Sequence, residues 1–143
     1  MFPLDFDYAI LTYSWTGDNG TDLDTRTSLS TPERLSDIGW ARLAQDSDYI
    51  IWGRDNQTPI GEESVLINFN NIKRDYPDTL DIRFRLRTFW YTSKIDGNLK
   101  LTFSTYSGGT VTRVGTKFVV NKGRLVSTTT SYVNSGTVII TIS

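Results

Sequence analysis

Glu62 and Glu63 stand side by side as the one glutamate pair in the chain, and a glycosidase needs little more than two carboxylates flanking a sugar bond. Neighbouring residues of a strand project to opposite faces, so this pair would not converge on one bond. Both are expected to be solvated loop residues. Histidine and cysteine are absent altogether. That removes imidazole-based triads, thiolate nucleophiles, disulfides and zinc sites built from these ligands. Paired carboxylates, a perturbed lysine, or Mg²⁺ or Ca²⁺ held by oxygen are the chemistries left. For calcium, the acidic stretch Gly17-Asp18-Asn19-Gly20-Thr21-Asp22-Leu23-Asp24 offers Asp18, Asp22 and Asp24. Its spacing departs from the EF-hand loop, and no glutamate closes the ring. Asx-Gly sequences are also ordinary turn chemistry, so a loop whose acids pair locally is the stronger expectation. Asp24 and Arg26 lie two apart and would share a face of an extended segment.

Two other groups of residues could recognise a partner. Arg83, Arg85 and Arg87 form a basic stripe near Lys73 and Arg74. Without an aromatic residue between the arginines, base stacking has no platform. A solvated face that protects a sheet edge is the first reading, an acidic protein partner the second, nucleic acid a distant third. Trp40, Trp52, Trp90 and Tyr91 could offer flat apolar faces to a sugar. Trp52 follows Ile50 and Ile51 in a strand-like run, which favours the core, whereas Trp40 is the better exposed contact.

The elements that must carry these residues are strands. In Leu80-Asp81-Ile82-Arg83-Phe84-Arg85-Leu86-Arg87 the apolar and polar residues alternate without a break, the signature of a strand with one buried face. Further strands are expected at 6–15, with Phe6 and Tyr8 on one face and Tyr13 and Trp15 on the other, and at 49–53, 64–70, 99–106, 111–120, 124–132 and 137–142. Asp96-Gly97-Asn98 and Asn121-Lys122-Gly123 read as hairpin turns, with Ser107-Gly108-Gly109 and Asn134-Ser135-Gly136 as further turns. Between 32 and 44 a helical turn is allowed, capped by Thr31 with Pro32 at its first position and stopped by Gly39. This long connection and the loop after the first strand are the segments expected to carry function. About eight short strands in 143 residues predict one all-β domain: an antiparallel β-sandwich, jelly-roll or immunoglobulin-like. The 13% aromatic content agrees with that, since aromatic residues suit a half-buried pleated surface. A net charge of −1 supplies no field to draw nucleic acid or an anionic membrane. The apolar runs are too short to span a bilayer. Met1-Phe2-Pro3-Leu4-Asp5 lacks a basic start and an apolar stretch, so no signal peptide is expected.

A string of motifs in the first half of the chain resembles small β-sandwich proteins of tailed-bacteriophage particles, those that decorate or cement a capsid or form head fibres and tail-surface modules. It comprises Asp5-Phe6-Asp7-Tyr8, Thr21-Asp22-Leu23-Asp24-Thr25-Arg26-Thr27, Gly39-Trp40, Trp52-Gly53-Arg54-Asp55-Asn56 and Gly61-Glu62-Glu63. The resemblance implies a non-catalytic virion role, without cofactor, made in the host cytoplasm. Its partners would be sister copies and a capsid or other virion protein, with no nucleic acid or membrane. Candidate interface residues are Trp40, Arg42, Arg26 and Arg54. A carbohydrate-binding or adhesion module is the alternative, and a carboxylate-based glycosidase the third reading.

Overall fold

The alternation around Phe84 becomes a strand with one dry face, β6 (Ile82–Trp90). Ile82, Phe84 and Leu86 are buried, while Arg83 is exposed and Arg85 and Arg87 are half-buried. The structure, a computed structural model, describes residues 6–16, 23–39, 46–54, 60–79, 81–90, 98–133 and 136–142; Leu80, expected in the same strand, lies outside them. Ten further strands accompany β6: β1 (Tyr8–Thr16), β2 (Leu23–Thr31), β3 (Ile38–Gly39), β4 (Ile50–Trp52), β5 (Ile60–Asn68), β7 (Asn98–Ser107), β8 (Thr110–Val114), β9 (Lys117–Asn121), β10 (Arg124–Val133) and β11 (Gly136–Ile142). One sheet runs β10-β7-β1-β5-β4 and the other β11-β6-β2-β3, antiparallel throughout. Their inner faces make the core of an all-β sandwich. Leu11, Tyr13, Ile67, Phe84 and Leu86 are among its fully buried side chains, each apolar one worth about 1.5–3 kcal/mol when withdrawn from water.

Among the described residues, eleven strands stand where about eight are expected. Gly115, with φ of +64°, turns the chain between β8 and β9 and divides what reads as one strand from 111 to 120. The second addition is β3. The third, β2, makes the chain from Leu23 onward, the end of the loop expected after the first strand, a central strand of the second sheet, paired to β6 on one side and β3 on the other. The turn sequences also work differently from expectation. Lys122-Gly123 joins β9 to β10, and Gly108-Gly109 joins β7 to β8, yet neither pair of strands is hydrogen-bonded together. These turns pass the chain between sheets. The turn at 96–98 lies outside the described residues apart from Asn98.

No helix forms after Thr31 among the described residues. The chain bends, Leu35 N–H donates to the Leu29 carbonyl at 3.0 Å, and Ile38 and Gly39 pair with Thr27 and Arg26. Completing the open edge of β2 outweighs the local cap signal, as tertiary pairing commonly does. Gly39 has φ of +149° and sits so close to the Thr25 carbonyl that a Cβ would collide with it. The one α-helix among the described residues is α1 (Phe69–Asp75), which takes the last two residues of the strand expected at 64–70 and continues past it. Asn68 caps it, its Oδ1 accepting from Asn71 N–H at 3.2 Å, and Lys73 and Arg74 occupy its last turn. Phe69 packs edge-on against Phe6 at 4.8 Å and Phe84 at 5.9 Å, closing one end of the sandwich. That contact buries Phe6, which precedes β1 and leaves the half-buried face of Tyr8; Tyr13 and Trp15 point inward as the alternation requires.

Candidate functional site

Inward-facing β2 residues alternate Leu23, Thr25, Thr27, Leu29, so two hydroxyls enter the core where hydrocarbon would be usual. Each finds a partner on the opposite sheet. The Tyr13 hydroxyl and Thr27 Oγ1 lie 2.7 Å apart, and Thr25 Oγ1 donates to Glu63 Oε1 at 2.7 Å. Trp52 Nε1 donates to the same Glu63 oxygen at 3.1 Å. Buried polar groups persist when satisfied in this way. Burial raises the Tyr13 pKa above the ordinary tyrosine value; the Thr27 hydrogen bond opposes the rise, and the charges of Glu63 and Asp37 add to it. Glu63 is therefore an interior tie between sheets, contrary to its expected place in a solvated loop. Glu62 points the other way, half-exposed, and pairs with Lys117. The two carboxylates do not converge.

On the outer face of the second sheet, Asp37 is buried and binds both Arg85, at 3.2 Å, and Arg87. Arg83 lies 3.4 Å from Asp81 at the surface. The basic stripe is thus largely matched by carboxylates. It does not guard an edge, because β6 runs between β11 and β2. Arg26 shares this face, half-buried and in register with Arg87, and Asp24 projects to the same side of β2. Asp18, Asp22, Trp40 and Arg42 lie outside the described residues. Among the described residues no cluster of three acidic, histidine or cysteine side chains could hold a metal.

Arg54 follows β4 at a φ of +93°. Both terminal nitrogens reach Asp46, each at 3.0 Å, and one also donates to the Trp52 carbonyl. The hydrogen bond to Arg54 is the chief reason the Asp46 carboxyl titrates below its usual range. Arg54 therefore clamps its own loop. Trp52 is 3% exposed and Trp15 equally buried, so neither offers a face to a sugar.

The surface least satisfied by the chain itself lies elsewhere. Among the described residues, every large hydrophobic that is exposed falls between Val114 and Ile139. Tyr132 is 73% exposed, Leu125 52% and Ile139 51%. β10 and β11 are edge strands of the two sheets on the same side of the sandwich, and a cavity of about 480 Å³ separates them. Phe6, Leu101, Phe103, Val138 and Ile140 give it an apolar floor, while Ser127, Thr129 and Ser131 of β10 add hydroxyls. Strands at 124–132 and 137–142 are expected from the sequence, but the candidate contacts Arg26, Trp40, Arg42 and Arg54 all lie in the first half of the chain. The signal available was a C-terminal run of β-formers carrying almost no charge, which sandwich edges normally avoid.

Comparison with family models, with curated proteins and with solved structures finds no match.

Proposed function

We propose that this chain is a non-catalytic structural element that works in many copies, binding sister copies and a larger protein shell. The observation that carries the reading is that two edge strands almost without charge, β10 and β11, lie on one side of the sandwich and carry the exposed Leu125, Val126, Tyr132 and Ile139. Isolated domains seldom leave such a surface uncovered, and open edges attract a neighbour's backbone. Side chains with chemical potential are engaged internally: Glu63 ties the sheets, Arg54 binds Asp46, and Arg85 and Arg87 share Asp37. The motif resemblance in the first half of the chain points to a virion, as a capsid decoration or cement protein. In that setting many weak contacts on a lattice sum to firm attachment.

The test is assembly of particles with and without the protein, followed by heat or osmotic challenge. Bound protein should raise particle survival, and Tyr132→Ala or Leu125→Ala should lower occupancy. Trp40→Ala and Arg42→Ala examine the long connection in the same assay. Binding of a defined oligosaccharide with no binding to any shell would replace this reading with the adhesion one.

A further inference from the structure

The exposed edge β10 reads almost the same in both directions. Around Thr129 the residues run Val126-Ser127-Thr128-Thr129-Thr130-Ser131-Tyr132. In an antiparallel pair with a second copy, centred on Thr129, Ser127 meets Ser131, Thr128 meets Thr130, and Val126 meets Tyr132. Hydroxyl pairs and aromatic–aliphatic pairs of this kind stabilise neighbouring strands. The central residues Ser127–Ser131 keep regular register with β7; the irregularity in that ladder falls between Leu125 and Ser127. No charged residue occurs between Leu125 and Tyr132, and Arg124 of each copy would lie at opposite ends of the pair. Like charges therefore never face one another.

The other edge repeats the pattern. β11 is centred on Ile139, with Val138 against Ile140 and Thr137 against Thr141. It carries no charge and no proline, the two features that most simply block edge-to-edge pairing. Thr129 and Ile139 line the same cavity, one on each sheet, so a single two-fold axis can pass close to both. We infer that two copies of this chain associate about that axis, β10 to β10 and β11 to β11. Both sheets then continue across the dimer, and the two cavities merge into one shared apolar core. The match is isologous: each copy presents the same patch to the other, as closed two-fold symmetry requires. Half-buried Val138, Ile140 and Ile142 gain the cover they lack in one chain. The inference rests on the assembly reading above and names a second copy as the first partner.

Mass measurement in solution should give about twice 16.2 kDa. Ile139→Lys and Ile139→Glu, each alone, place like charges face to face on the axis and should weaken association by about a hundredfold or more. An equimolar mixture of the two variants should restore the dimer, because lysine then faces glutamate. Ile139 is exposed in one chain, so circular dichroism of both variants should match the parent. The chain has no cysteine, so Thr129→Cys introduces one thiol per copy. Directly opposed residues of antiparallel strands fall within disulfide reach, and mild oxidation should give a covalent dimer, whereas Thr112→Cys on β8 should not. A monomer mass at every concentration, a trimer, dimers of both single variants, or equal crosslinking from Thr112→Cys would overturn the inference. Dimers that bind no shell leave the interface intact and remove the shell-binding function; monomers that still bind a shell do the reverse.

Discussion

Glu63 shows how one side chain can look catalytic in sequence and be structural in place. Its carboxylate accepts from Thr25 on the facing sheet and from the Trp52 indole on its own. Glu63→Ala strands those two donors in the interior, at about 1–3 kcal/mol for each; chemical denaturation should show the loss with little change in strand content. Tyr13 makes the companion tie to Thr27. Tyr13→Phe should cost about 1 kcal/mol or somewhat more, because Thr27 Oγ1 loses this partner. The same residue sets an alkaline limit. Burial raises its folded pKa above the unfolded value near 10, so the folded state favours the neutral phenol. That contribution is complete below the unfolded value and is lost as pH climbs from there toward the folded one. Ultraviolet titration should find Tyr13 among the tyrosines that resist ionisation, and Tyr13→Phe should lower the number of resistant groups by one.

At the scale of elements, β6 was legible and β2 was not, for one reason seen from two sides. Strand β6 alternates leucine, isoleucine and phenylalanine with arginine, a pattern read directly as dry and wet faces. Phe84→Ala in this strand should cost about 3–5 kcal/mol, measured by thermal or denaturant unfolding. Strand β2 alternates too, but two of its inward residues are threonines whose partners Tyr13 and Glu63 sit on other strands. Hydrophobicity along the chain cannot reveal a face made dry by cross-sheet hydrogen bonds. The helix α1 had readable marks: an asparagine cap, Phe69 and Ile72 three apart, basic residues at its end and Pro77 beyond. At seven residues it was too short for periodicity to separate it from β5. Of the candidate site, the uncharged β-forming run was visible in sequence, but its place on two coincident edges depends on strand order, which no local pattern encodes. The end of α1 carries its own test. Arg74 chiefly, and Tyr49 at 2.5 Å, hold the Asp75 carboxyl down to about 2. A depressed carboxyl contributes stability above its unfolded value near 4, and that stability disappears as pH falls toward 2. Asp75→Asn should lower stability at neutral pH and flatten its acid limb over that window, as denaturant unfolding at stepped pH would show.

Taken whole, the molecule is strongly polarised. Strands β1, β2, β5 and β6 carry most of the fully buried side chains, whereas β10 is exposed along its length and borders only β7. Local opening follows burial, so the C-terminal third should exchange its backbone hydrogens well before the centre does. In one chain, an edge strand leaves about half its backbone groups to water, and β10 and β11 both do so on the same side. Pairing with a second copy would protect those groups and cover Val138, Ile140 and Ile142, while the β8–β9 hairpin, which belongs to neither main sheet, would gain nothing. Hydrogen exchange followed by mass spectrometry at rising protein concentration separates these cases. Protection should increase in 124–142 and stay constant in 110–121, and the melting temperature should rise with concentration, since association stabilises the folded state by mass action. Exchange independent of concentration across 124–142 would leave the exposed edges available to the shell alone, with attachment made one chain at a time.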